Sequence, residues 1–296
     1  MTGVANNKRY VQFVTHYQHA NGRARVRVTT TAGPWQSDPS NIKSIAHSFD
    51  QQAAAVCLAR VAIHRIESET PLDVMRFIDR SLIRFCTQFA HYRKGDPNSF
   101  QLPGECALFP HFLFHLRRSP FMQIFNSSPD EASYHRCVLL RENTANSIVM
   151  IMPSLVSYSH ENHGVGQPVA LDAESIRPDT MLLLDTFFHV VVFHGENIVA
   201  WREAKYQDMP EHAEFRHLLH APKDDAQYLM KDRIPQPRYI VCDQGKSQSR
   251  FLMSKVNPSV THNNSDVGGS GQTVFTDDAS FKSFYDHLRA IATSDN

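Results

Sequence analysis

The period of the apolar positions changes twice along this chain, and the changes mark three regions. In the first, Tyr10 to Tyr17 is rich in β-branched and aromatic residues. Asn21-Gly22 is a hairpin turn signal, and Arg23 to Thr30 alternates polar and apolar after it. A two-stranded hairpin is expected. Two strands alone are marginal in water, so this pair is expected to join a larger sheet.

From residue 37 to about 140 the period is helical. Asp50 stands at an N-cap position before Gln51 to Ile63, and Pro71 opens the next helix. There Val74, Phe77, Ile78, Ser81, Leu82, Phe85 and Phe89 fall at i, i+3, i+4 spacing and make one apolar face. Phe109 to Arg118 and Ser119 to Phe125 read as two short helices. Ser127 to Glu131 reads as the start of another, with Pro129 in its first turn. Asp96-Pro97 and Leu102-Pro103-Gly104 read as turns.

From Ser147 onward the texture is mixed. Ser147 to Pro153, Thr180 to His194 (one bent strand or two), Ile198 to Trp201, Arg238 to Cys242 and Arg250 to Ser254 predict strands. The turn His194 to Asn197 makes Ile198 to Trp201 a hairpin partner. Pro210 to Leu219 and Asp224 to Lys231 predict helices, and Asn263 to Gln272 a flexible loop. Thr276-Asp277-Asp278 caps a last amphipathic helix with Phe281, Phe284, Tyr285, Leu288 and Ile291 inward. The fold class is α+β multidomain. A hairpin occupies 1–36, an all-α region 37–146, and an α+β region with a central mixed sheet 147–296.

Composition narrows the class. Hydrophobic content of 42% with 20% charged residues fits packed globular domains. Lys+Arg 30 against Asp+Glu 30 lacks the basic excess of a general nucleic-acid binder. The cysteines are Cys57, Cys86, Cys106, Cys137 and Cys242, an odd number with no C-x-x-C pair, which fits reduced cytosolic thiols. No apolar run reaches the ~20 residues that span a bilayer, and Met1 to Asn7 has no signal-peptide core. The expectation is a cytosolic protein whose membrane contact is peripheral.

Candidate chemistry is sparse. His111 and His115 have zinc-ligand spacing on a helix, but the glutamate of H-E-x-x-H and a third ligand are missing. His160 and His163 sit in a polar loop. Gly245-Lys246-Ser247 resembles the end of a phosphate loop, yet Ile240 stands where its first glycine belongs. Asp185 and Asp278 read as a strand polar residue and a helix cap. Arg117-Arg118 with Arg80 and Arg84 reads as a solvated basic face, the other reading being contact with anionic lipid or an acidic partner. Arg250, with Phe251 and Met253 alternating beside it, reads as an arginine aimed outward from a short rigid strand.

Several motifs in order give these residues a context. Ser48 to Val56, Phe100 to Leu102, Phe121 to Glu131, Leu184 to Phe188, Tyr206 to Asp208, Ser247 to Leu252 and Thr276 to Asp278 resemble the GTPase-activating subunit of the inner COPII coat, the Sec-twenty-three family. The resemblance implies the end of a β-sandwich, then a helical domain, then a gelsolin-like domain. It implies that Arg250 is an arginine finger offered in trans to the coat's small Ras-like GTPase, with Ser247 and Gln248 beside it as partner-binding residues. The family text usually reads Gly-Gly-Ser-Gln-Ala-Arg, so Lys246 and Ser249 depart from it.

The implied partners are that GTPase, the cargo-binding sister subunit, an outer-coat subunit and, peripherally, the cytosolic face of the endoplasmic reticulum membrane; nucleic acid is not among them. The implied role is in vesicle-mediated endoplasmic-reticulum-to-Golgi transport, with no catalytic site or cofactor of the chain's own. The family's zinc finger, trunk and most of its β-sandwich lack counterparts here. This makes a C-terminal fragment, a truncated gene model or a short form the expectation. Two other readings are kept: a coat scaffold or adaptor without activating power, and actin binding by the gelsolin-like domain.

Overall fold

The structure is a computed structural model that describes residues 8–36, 38, 40–122, 128–256 and 280–294. It divides into two compact units, Met1–Phe49 and Asp50–Asn296.

The first unit holds the expected hairpin. β1 (Lys8–Gln18) and β2 (Ala24–Pro34) pair antiparallel from Lys8 opposite Pro34 to Gln18 opposite Ala24. Gly22 takes φ +80°, a left-handed conformation that suits glycine, and Asn21 Oδ1 accepts the Arg23 N–H at 3.2 Å. Among the described residues no third strand joins the pair, and Tyr10, Phe13, Val26 and Val28 stay exposed. α1 (Ile42–His47) falls in this unit, not with the helices that follow.

The second unit opens with a helical layer. α2 (Gln51–Arg65) starts at Asp50, whose Oδ1 accepts the N–H of Gln52 at 3.1 Å and of Ala53 at 2.9 Å. Two otherwise orphaned donors are satisfied there, so Asp50→Ala is expected to cost about 1 kcal/mol in urea unfolding. α3 (Pro71–Phe89) buries Val74, Ile78, Leu82 and Cys86, a stripe at every fourth residue. β3 (His91–Arg93) and β4 (Asp96–Gln101) form a small hairpin, so that Asp96-Pro97, expected as a turn, opens a strand. α4 (Phe109–Arg118) is apolar on most sides and largely buried. Ser119 to Met122 is turn and not the expected helix; Gln123 to Ser127 lie outside the described residues. α5 (Pro129–Arg141) begins at Ser128, whose Oγ accepts the Glu131 N–H at 3.2 Å.

α6 (Thr144–Ile151) corrects the first expected strand of the α+β region. Ile148, Val149, Met150 and Ile151 suit either period over so short a window. The Asn143 side chain decides it by accepting the Asn146 N–H at 2.9 Å and capping a helix.

The sheet follows. β5 (Ser154–Tyr158), β6 (Gln167–Val169), β7 (Met181–Asp185) and β8 (His189–His194) lie in the order β6-β5-β7-β8, all antiparallel. Thr180 to His194 is thus two strands. After β8 comes α7 (Glu196–Glu203), where a hairpin strand was expected. α8 (Ala213–Met230) then runs as one helix through Pro222 instead of two. β9 (Arg238–Asp243) adds to β8 in parallel and completes five strands. Helices cover both faces. Phe215, Leu218 and Ala226 of α8 pack on Met181, Leu183, Val190 and Val192. The opposite face carries Leu182, Leu184, Val191 and Phe193, and it meets Leu252 and Val256 around α9 (Arg250–Met253).

α10 (Phe281–Thr293) is capped by Ser280, whose Oγ accepts the Ser283 N–H at 3.1 Å. The expected cap Thr276 to Asp278 and the expected loop Asn263 to Gln272 lie outside the described residues. α10 packs on the helical layer. Phe281 stacks on His111 at 3.5 Å, Arg289 donates to the Pro97 carbonyl at 2.9 Å, and the Gly95 N–H bonds the Thr293 carbonyl at 2.8 Å.

Candidate functional site

Arg250 is not on a strand. β9 ends at Asp243, Gly245 turns the chain with φ +78°, Ser247–Ser249 makes one 3₁₀ turn, and Arg250 opens α9. The alternation of Phe251 and Met253 misleads because the residues that reach the core are Leu252 and Val256, four apart and fully buried, which is a helical period. Ser249 ties the turn by donating its Oγ–H to the Lys246 carbonyl at 2.6 Å. Gly245-Lys246-Ser247 therefore leads into a 3₁₀ turn and does not open a phosphate-binding helix.

Leu252 and Val256 fix α9 against the sheet and leave Arg250 on the outside. Its guanidinium lies 5.4 Å from the centre of the Phe251 ring. Among the described residues it makes no hydrogen bond or ion pair. Ser247 and Gln248 are exposed beside it. The three predicted residues therefore share one protruding turn. An exposed, unspent guanidinium with a permanent charge and a planar fork of donors is chemically fitted to meet oxyanions supplied by another molecule.

The base of this turn is held by residues that sequence reading missed. Arg202 of α7 binds the Asp243 carboxylate in bidentate fashion, at 3.0 Å and 2.8 Å. His194 Nδ1 lies 3.0 Å from Asp243 Oδ1 and 2.8 Å from an Arg202 nitrogen; one ring nitrogen serves only one of these contacts at a time. The Arg202 hydrogen bond, partly offset by burial, holds the Asp243 carboxyl below the usual range. Burial pushes the His194 imidazole down, against the pull of Asp243. Gln244 Oε1 accepts the Glu196 N–H at the start of α7, and the Gln244 N–H bonds the His194 carbonyl, at 3.0 Å and 2.9 Å. No local signal marks this cluster, because its partners sit 41 and 49 residues from Asp243.

The other candidates are accounted for by packing. His115 is buried and His111 packs on Phe281. Among the described residues no three His, Cys, Asp or Glu side chains converge to hold a metal. Arg117 pairs with Asp79 at 3.1 Å and Arg118 lies over the Phe114 ring, so the basic face is in part spent within the fold. Asp185 is buried in an ion pair with Arg233. No helix among the described residues is long and apolar enough to cross a membrane.

Burial drives the His115 pKa down to about 3, with the Arg118 and His111 charges adding to the effect. Below about 6.5 the unfolded chain takes up a proton there that the folded chain refuses until about 3, so stability falls as pH drops through that window. At pH 5 the loss relative to pH 7.5 is about 2 kcal/mol. In urea unfolding at the two pH values, His115→Gln is expected to remove that part of the difference.

Comparison with known proteins adds three findings. Residues 50–149 match the family model for the Sec23/Sec24 helical domain. Residues 163–252 match the gelsolin repeat. The fold is similar to the crystal structure of the human COPII-coat protein Sec24c, with a TM-score of 0.71 at 15% identity over 96% of this chain. The chain spans 36% of the length of that solved chain.

Proposed function

We propose that the chain, whose residues 50–149 match the Sec23/Sec24 helical domain and whose residues 163–252 match the gelsolin repeat, is an inner COPII coat subunit that stimulates GTP hydrolysis by the coat's small Ras-like GTPase. One observation carries the proposal. Arg250 stands exposed and, among the described residues, unpaired at the head of a helix anchored by Leu252 and Val256, inside the text Ser247-Gln248-Ser249-Arg250. GTP hydrolysis builds negative charge on the phosphate oxygens, and a guanidinium inserted from a second protein neutralises it. The chain then supplies one group in trans and has no catalytic centre of its own. Ser247 and Gln248 contact the GTPase beside it. The work is done at the cytosolic face of the endoplasmic reticulum during vesicle budding, alongside the cargo-binding sister subunit and an outer-coat subunit. GTP turnover with and without Arg250 is the test.

The similarity to Sec24c favours a second reading, a coat scaffold or adaptor without activating power. Capture of coat partners that survives Arg250→Ala, with no stimulation by the unaltered chain, would select it.

A further inference from the structure

We propose that the cavity at the seam between α4, α5 and the sheet binds a phosphate monoester carried on a small apolar or aromatic group. The cavity measures about 330 Å³, within the size range of small-ligand sites and too large for a bare phosphate. Its charged and titratable lining consists of His115 and Arg118 from α4, Glu131 and His135 from α5, His189 from β8, and Lys255 just after α9. The apolar wall includes Ile151, Phe188 and Phe251.

Two features ask for an anion. Lys255 is half-buried, and among the described residues its ammonium makes no hydrogen bond and no ion pair within reach. Burial, then the charge of Arg118, pushes its pKa down, while Glu131 pulls the other way without pairing. A charge held in this state is costly, and an oxyanion would relieve it.

The second feature is His135. It is more than nine-tenths buried, packs on Phe188 at 4.2 Å, and its Nδ1 has no hydrogen-bond partner among the described residues. A buried polar atom left this way calls for a ligand atom. A phosphate monoester carries up to two negative charges and three terminal oxygens, so it can meet Lys255 and the imidazoles of His135 and His189 together. A carboxylate has two oxygens and one charge and would leave part of the set unmet. Phe188 and Phe251 provide a surface for the carrier group. The site is separate from the outward guanidinium of Arg250 and does not depend on its role.

The experiment is titration calorimetry of the chain with phenyl phosphate, benzoate and a short phosphotyrosine peptide. Phenyl phosphate is expected to bind, and more tightly than benzoate. Lys255→Met should weaken it about tenfold or more, Lys255→Arg should retain it, and His135→Phe should weaken it, with unchanged circular dichroism in each variant. Peptide binding as tight as phenyl phosphate assigns the site to a phosphorylated chain, and exclusion of the peptide assigns it to a free small molecule; both support the shared chemistry. No binding of phenyl phosphate, equal binding of benzoate, or unchanged affinity in folded Lys255→Met overturns the proposal.

Discussion

Replacing Arg250 with alanine is expected to lower the stimulated rate of GTP hydrolysis about 10³-fold or more, with little change in the chain's unfolding temperature. The two halves of this expectation come from the same geometry. The side chain is exposed and lies 5.4 Å from the Phe251 ring centre, a contact that contributes about 0.5–1 kcal/mol at most at an exposed site. Its removal therefore leaves the fold in place. Loss of a fork of donors from a phosphoryl-transfer site removes roughly 4 kcal/mol or more of transition-state stabilisation. Arg250→Lys keeps the charge but not the planar fork, and should recover only a small part of the rate. The assay is single-turnover GTP hydrolysis by the coat GTPase in the assembled coat. Equal stimulation by Arg250→Ala would remove the arginine from the mechanism and leave the adaptor reading.

The hairpin β1–β2 was legible because its signals are local: β-branched and aromatic residues in the first strand, alternation in the second and Asn21-Gly22 between them. α3 was legible for a similar reason, since Pro71 marks its start and a single stripe marks its face. The central strands β7 and β8 were legible because they are buried on both faces and so read as unbroken apolar runs. The same property made α6 and Ile198 to Trp201 illegible: a short β-branched run takes its period from its surroundings. Two helices were expected, Pro210 to Leu219 and Asp224 to Lys231, but α8 continues through Pro222 because Leu218, Leu219, Pro222 and Ala226 are all buried along it, which outweighs one missing backbone hydrogen bond. Arg250 was found through the text around it, while its address at the head of a helix was set by Leu252 and Val256, which only the packed sheet reveals. The Arg202–Asp243–His194 cluster was out of reach of any local pattern, because three separate elements bring it together.

Asp185→Ala is expected to cost about 3–5 kcal/mol in urea unfolding, well beyond the loss of a helix cap such as Asp50. The sequence offers Asp185 only as a polar residue at a strand end. In the fold its side chain is buried, and its carboxylate accepts both Arg233 nitrogens at 2.6 Å and 2.9 Å. It also accepts the Phe187 N–H at 2.8 Å, at a residue with φ +70° that a non-glycine side chain rarely adopts. Arg233 in turn lies 5.0 Å from the Phe187 ring centre. Removing the carboxylate strands a buried guanidinium and frees the cap of a strained turn at once. A charge left without its partner costs more than the pair contributes, so the double replacement Asp185→Leu with Arg233→Met should lose much less than the alanine variant. The coupling energy from the full cycle decides the matter, because neither single variant separates the pair from the turn. A loss below about 1 kcal/mol for Asp185→Ala would mean that water reaches Arg233 and that hydrophobic packing of Phe187, not the ion pair, closes the β7–β8 connection.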